Sequence, residues 1–556
     1  MVPWIHHRRR LAALALVLLL PACATTSRTR PPPPPAATDV AARRVEAHTR
    51  FLADDLLEGR RTGTRGYALA AHYVAAQFRR LGLAPAGEEE GYLQPLTLQE
   101  TTSNLEAGQL LVTRGGEELA FEPVGEVLVQ AAAGRTTAQV TAPAVFVGFG
   151  VHAPGLGYDD FGGIDLRGKI AVVLRGAPPA FAATQRAHYS SGTEKATELV
   201  RRGAVGMITI VTPRDEARSP WVVTAAQSRF PRMKLLSGAD GEPLDAFPEL
   251  RATATMSRAA AERFFKAAGR TAADVFGTAD RSQPQSFALD FDVALSSEAT
   301  VRRLESMNVV GLLPGADPSL ANEPLVVTGH LDHLGIGPAI DGDAIYNGAI
   351  DNAVGVGLLL AVAEALAGEP APRRPIVFAA LTAEEQGLLG AEHLARNPPA
   401  GVRRFAANLN LDMAFFFAPV KDILAWGAEH SSLGRSVEAA AAQTGFTVSP
   451  DPLPDEVIFV RSDQYAFVRT GVPALLLGTG QQASDPAMQL ADAWLQFLRQ
   501  RYHKPNDDLD QPIHWPSVGT FAALCVSLTR AIADDGEEPS WNDNDFFGET
   551  FGARDR

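Results

Sequence analysis

The sequence predicts an α/β layered protein interrupted by an insertion built mainly of β-strands. Three observations lead there. After Phe287, short apolar runs (NVVGLLPG, PLVVTGHLDHLG, RPIVFAALTA, RRFAANLNLDM, VPALLLGT) alternate with helical spans such as VGVGLLLAVAEALAG and GAEHLAR, the pattern of strands and helices packed in layers. From about Gly108 to Pro284 the texture differs: strand-like runs such as QVTAPAVFVGFGV and KIAVVLRG sit between clusters of Gly, Pro and Asp. The chain also has 556 residues, more than the roughly 100 to 200 of one domain, so two or three cores are expected. No repeat of about 20 to 50 residues is visible.

In chain order, MVPWIHHRRR gives a basic start, LAALALVLLL an apolar stretch and LPAC a small-residue zone ending at Cys23. The apolar stretch is too short to span a bilayer. The arrangement resembles a bacterial lipoprotein signal, which implies lipidation of Cys23, export, and anchoring to a cell-envelope membrane, an outer membrane first, facing periplasm or surface. Pro21 departs from the usual residue at its position. Residues 1–22 are thus the expected signal and 23–38, with its proline run, an extended tether.

Next, DVAARRVEAHTRFLADDLLEG and GYALAAHYVAAQFRRLGL place apolar residues at three- and four-residue steps, predicting two helices joined by the glycine-rich LEGRRTGTRG. Residues 39–107 form the expected N-terminal helical part, 108–284 the insertion and 285–535 the main domain. In the insertion, EKATELVRRGAVGMITIV predicts helix, tight turn and buried strand. DDGEEPSWNDNDFFGET suggests a solvated acidic tail over 536–556. Beyond Cys23 the chain has only Cys525, in the helical TFAALCVSLTR, so no disulfide framework is expected. The net charge of −14 and the lack of a basic stretch in the folded region argue against nucleic acid as a partner.

The residues that carry chemistry stand at the ends of these elements. His330 and Asp332 close a strand pattern in GHLDHLG, and Asp351 precedes a helix in YNGAIDNAVG. Glu384 and Glu385 follow IVFAALTA, Asp412 ends NLNLDM, and His503 stands in RYHKPNDD. In layered α/β folds, active groups collect at the carboxyl ends of strands. Hydrolysing an amide requires an activated water and a polarised carbonyl, which a pair of zinc ions about 3.5 to 4 Å apart can supply. Two His and three carboxylates can hold two such ions if one carboxylate bridges.

Taken together, GHLDHLG, GAIDNAVG, TAEEQGLLG, LDM and YHKPNDD resemble the motifs of the M28 family of zinc metallopeptidases, over about Ser306 to Ala533. LADDLLEGRRTGTRG resembles that family's N-terminal segment, and GYDDFGGIDLRGKIAVVLRG with RRGAVGMITI resembles a protease-associated (PA) domain. The resemblance implies a mixed central sheet flanked by helices, of zinc-exopeptidase type, with a mainly-β PA-like insertion. It implies an exopeptidase with two zinc ions per chain, an aminopeptidase first, acting on peptides or proteins. His330 and His503 would each bind one ion, Asp351 would bridge, and Glu385 and Asp412 would complete one site each. Glu384 would then be free as general base on a metal-bound water, within about 3 Å of the proton it takes.

Asp332 lies two residues from His330, on the same face if the strand continues; its expected duty is to accept the imidazole's other N–H. By the same period His333 is turned away and reads as an ordinary histidine. Gln464 stands where many family members carry His, and Asp463 and Tyr465 are candidates for substrate contact or structure. AFFFAP after Asp412 reads as core or an apolar pocket. His48, His72 and His152 read as structural or surface residues. Arg461, if turned inward, would favour carboxylate binding. The alternatives are a carboxypeptidase or dipeptidase with the same centre, a glutaminyl cyclase-like enzyme with one ion, and a non-catalytic receptor or scaffold.

Overall fold

Four strands, Ile376–Leu381, Leu325–His330, Ala407–Leu411 and Ala474–Thr479, lie side by side in that order in the computed structural model, and all run parallel. Each is buried along its whole length. Strands covered on both faces read as nearly unbroken apolar runs, as these do. Antiparallel neighbours flank the four: the end of Ser286–Leu313 on one side and Asp422–Trp426 on the other. The central sheet is therefore mixed, as expected.

Alternate residues of each strand feed opposite layers. Leu325 and Val327 join the core made with the helices Ala37–Leu52, Val354–Ala367 and Trp515–Asp534, whereas Val326 joins residues of Leu389–Arg396 and Gln464–Arg469 on the other face. Val354–Ala367 is apolar on nearly all sides because it is enclosed by sheet and helices together. Cys525 is buried in this layer. The second expected helix spans Arg65–Leu81; the Thr64 side chain caps its start, and Gly82 ends it at φ 75°, a backbone region open to glycine.

The structure describes residues 37–237 and 241–552. The expected signal and tether, Cys23 included, lie outside these residues apart from 37 and 38, which open the first helix.

Two expectations change. The stretch 39–107 is helical only as far as Leu81; from Leu93 it becomes a strand, Leu93–Arg114, paired with Ser286–Leu313 from Leu93 opposite Val309 to Thr113 opposite Asp292. These two long strands carry the sheet from the main domain into the insertion. The expected boundary at 107/108 therefore falls inside a strand, and no linker separates the two parts. Within the insertion, Thr137–Val147, Ile170–Leu174, Gly206–Ile210 and Ala252–Met256 pair in parallel, with helices such as Gly192–Arg201 and Arg258–Ala267 packed beside them.

The second change concerns the acidic tail. Among its described residues, Phe546–Phe551 is a short helix, Phe547 is fully buried, and its ring meets His430, Phe459 and Tyr465. The phenylalanines of DFFGET outweigh the surrounding charge, because a fully buried aromatic ring is worth about 1.5 to 3 kcal/mol over an exposed one.

Candidate metal centre

Three central strands end side by side, and their ends carry the candidate residues. His330 is the last residue of its strand, opposite Leu381 of the next; Glu384 and Glu385 follow Leu381 by three and four residues, and Asp412 follows Leu411. Ala383 adopts φ 57° between strand and glutamates, so the chain turns a corner there. Asp351 comes from the turn that opens Val354–Ala367.

These side chains converge. His330 Nε2 lies 3.2 Å from Asp351 Oδ1 and 3.2 Å from Asp412 Oδ1. His503 Nε2 lies 3.3 Å from Asp351 Oδ2 and 3.1 Å from Glu385 Oε2. Asp351 thus turns one oxygen toward each imidazole. Ligand atoms of His330, Asp351 and Asp412, of His330, Glu384 and Glu385, and of His333, Asp351 and Glu385 each gather within 4.8 Å.

The donor set fits a divalent cation. Imidazole nitrogens and carboxylate oxygens at these positions are zinc-type ligands, and buried carboxylates in such number require positive charge nearby. Burial works to raise the pKa of Asp351, yet His330, His333 and His503 outweigh it and hold the carboxyl well below the usual range. Glu385 behaves alike: burial raises it, His503 and His333 lower it, and it falls to about 2. Burial lowers His503, but Glu385 and Asp351 lift it to about 10. Glu384 moves the opposite way, pushed well up by burial and by Glu385, Asp412 and Asp463 against the pull of His330.

Asp332 and His333 both depart from the expected geometry. The strand stops at His330, so the two-residue period no longer applies beyond it. The carboxylate of Asp332 does not meet the imidazole; the backbone carbonyl of Asp332 does, 3.1 Å from His330 Nδ1. Its carboxylate instead accepts from the Glu384 amide at 3.1 Å and from the Thr62 hydroxyl at 3.0 Å. His333, expected to be an ordinary residue facing away, is fully buried in the cluster with Nδ1 2.7 Å from Glu385 Oε1.

The turn before Asp351 requires glycine. Gly348 has φ +61°, and a Cβ there would stand 2.1 Å from the Asp351 carbonyl oxygen and 2.5 Å from the His333 ring. Asp507 accepts from the Ile350 and Asp351 amides, each at 3.0 Å. Arg60, 1% exposed, donates to the carbonyls of Leu331 at 2.8 Å, Asn347 at 2.6 Å and Gly348 at 3.1 Å, and to that of Leu52. The Thr62 hydroxyl also accepts from the Ala383 amide at 3.1 Å. The loop 60–62 therefore joins the loops that carry His330, Asp351 and Glu384. The sequence marks Arg60 and Thr62 only through the segment LADDLLEGRRTGTRG and Asp507 only through YHKPNDD, with no role for any of the three, and His333 reads there as an ordinary histidine.

Most of the weaker candidates take structural or surface positions, while Asp463 is buried within the field of the cluster. Gln464 is buried, donating to the Phe459 carbonyl at 2.7 Å and accepting from Asn410 at 2.9 Å. Asp463 is fully buried, its carboxylate oxygens without hydrogen-bond partners, and burial pushes its pKa well up. Tyr465 packs on Phe547 and Phe551. Phe415 and Phe416 are core, against Trp494 and Phe521. Arg461 is half exposed and pairs with Glu456 at 3.5 Å. His48 meets the Tyr73 hydroxyl at 2.8 Å, His152 meets Asp159 at 3.2 Å, and His72 is exposed; none joins the cluster.

Known proteins resemble this chain in sequence and in fold. Residues 308–529 match the model of Peptidase family M28, a segment that holds every residue of the cluster. An aminopeptidase from Aneurinibacillus sp. strain AM-1 shares the fold with a TM-score of 0.52 at 19% identity, covering 90% of this chain and 97% of that one. A probable zinc metalloprotease of Pyrenophora tritici-repentis (strain Pt-1C-BFP) is 42% identical over 85 residues, 15% of this chain and 19% of its own length. Probable leucine aminopeptidase 2 of Aspergillus fumigatus is 28% identical over 193 residues, 34% of this chain and 36% of its own. The chain thus spans well under half the length of these curated relatives.

Proposed function

We propose that this chain is a di-zinc exopeptidase, an aminopeptidase that releases N-terminal residues. The observation that carries the reading is the convergence of His330, Glu385 and Asp412, from the carboxyl ends of neighbouring strands, with Asp351 and His503, from turns next to helices, and with Glu384 beside them. Asp351, one oxygen toward each histidine, supports a shared ligand between a His330–Asp412 site and a His503–Glu385 site. Zinc bound there would polarise the scissile carbonyl and lower the pKa of water.

The chain's own groups do the rest. Glu384 is the general base: it takes the proton of the attacking water and passes it to the leaving amine. Asp332 holds the Glu384 backbone through its amide and, through its carbonyl, fixes His330 with Nε2 turned to the carboxylates. His333 orients Glu385. Export with a lipid on Cys23 belongs to the same proposal and rests on the N-terminal pattern alone.

The test is a Glu384→Gln variant assayed with aminoacyl reporters while zinc is counted by atomic emission. The reading expects about two zinc per chain in parent and variant, with a rate loss of about 10²-fold to 10⁴-fold. A variant as fast as its parent would remove Glu384 from the mechanism, and one zinc per chain would favour the glutaminyl cyclase-like alternative.

A further inference from the structure

A cleft of about 1190 Å³ leads to the cluster, with Glu385, Gln386 and His503 on the main-domain side and Arg232, Met233 and Lys234 on the insertion side. The insertion strand Arg232–Ser237 pairs with the long strand at Leu98–Thr101. Its Met233 and Leu235 share one apolar core with Ala383 and Leu389, which bracket the paired glutamates in sequence. Arg232 and Lys234 project from the opposite face of that strand.

Four arginine and lysine side chains line this cleft, and two are already satisfied: Arg61 pairs with Glu100 at 2.5 Å and Arg229 with Glu106 at 2.7 Å. Among the described residues, Arg232 and Lys234 bond to carbonyls, those of Ala131 at 3.4 Å and Asp245 at 3.3 Å. The Asp245 carboxylate is engaged by Arg469 at 2.9 Å. Arg232 is open to the cleft yet walled in, and that loss of bulk water lowers its pKa. Lys234 is lowered mainly by burial, against Asp245 and with Arg232. Among the described residues no carboxylate bonds to either side chain, though Asp245 attracts Lys234 from further off; two like charges two residues apart repel each other and would be relieved by an anion.

We infer that Arg232 and Lys234 form a carboxylate-reading subsite, so that the preferred substrates are short peptides whose C-terminal carboxylate rests on this pair while the scissile bond lies at the glutamate cluster. The inference rests on the peptidase reading and narrows it to short peptides with a free C-terminus. Charge-assisted hydrogen bonds are the interaction that distinguishes such a terminus from its amide.

The experiment measures kcat/KM of the zinc-loaded full chain for Leu-Gly-Gly, its C-terminal amide, and Leu-Gly-Glu amide. It is run with the parent, an R232Q/K234Q variant and a charge-conserving R232K/K234R variant, each checked for an unchanged unfolding midpoint. The free acid is expected to exceed its amide by about tenfold or more in the parent, to approach parity in R232Q/K234Q, and to keep its preference in R232K/K234R. Parity in the parent, or a preference that survives R232Q/K234Q, overturns the subsite while leaving the peptidase reading intact. A Leu-Gly-Glu amide that matches the free acid overturns it in favour of an acidic side chain. No hydrolysis of any peptide overturns the peptidase reading and the subsite with it.

Discussion

Replacing Arg60 by methionine removes one guanidinium that ties three segments together near the centre. The side chain donates to the Leu52, Leu331, Asn347 and Gly348 carbonyls and is 1% exposed. Methionine fills similar space, so the loss is polar rather than a cavity. Bonds from a charged donor contribute about 1.5 to 3 kcal/mol each, but four bonds from one group do not add. The cation is also costly to bury: burial pulls its pKa down to about 10, against the pull of Asp332, Asp351, Asp507 and Glu385. Removing a buried charge that its neighbours depend on costs about 3 to 5 kcal/mol, and this is the loss expected in urea unfolding of the metal-free protein. Because Leu331 and Asn347–Gly348 adjoin the His330 and Asp351 positions, zinc affinity is expected to fall about 10-fold to 100-fold as well. An R60M variant within about 1 kcal/mol of the parent, with unchanged zinc affinity, would refute the idea that Arg60 ties these loops.

His333→Gln is expected to weaken zinc binding about 10-fold to 100-fold, as loss of a ligand's hydrogen-bond partner does, with activity recovering at saturating zinc; competition with a chelating dye reads it. Phe547→Ala is expected to cost about 3 to 5 kcal/mol and to release the C-terminal segment to limited proteolysis. Lys195 sets a pH dependence. Burial lowers its pKa to about 7 from an ordinary 10.5, against Asp160 and Asp215. Between these values the unfolded chain holds a proton that the folded chain has lost, so this group's contribution to stability rises with pH across that window. Below about pH 7 both states are charged and the burial penalty is present in full. Urea unfolding at pH 7, 8.5 and 10 is expected to show the parent gaining on Lys195→Met as pH rises; a constant difference would contradict this.

The central sheet and the principal cluster were legible because both follow from local pattern. Strands buried on both faces are apolar without alternation, and acidic or histidine residues directly after them mark strand ends. What the sequence hid is tertiary. Leu93–Arg114 and Ser286–Leu313 pair across nearly two hundred residues of chain, so the boundary of the insertion has no linker to reveal it. Asp332 and His333 were misread because the strand ends at His330, after which a two-residue period says nothing about direction. Arg60 lies far in sequence from the motifs that carry the histidines and carboxylates, and it acts on backbone carbonyls, which carry no residue signature. The C-terminal segment looked solvated because charge dominated its composition, whereas Phe547 finds a pocket contributed by His430, Phe459 and Tyr465.

The most direct measurement is anomalous diffraction at the zinc edge from crystals grown with zinc. The account predicts two peaks about 3.5 to 4 Å apart, one beside His330 and Asp412 and the other beside His503 and Glu385, with Asp351 between them. A single peak, or peaks remote from His330 and His503, would contradict it.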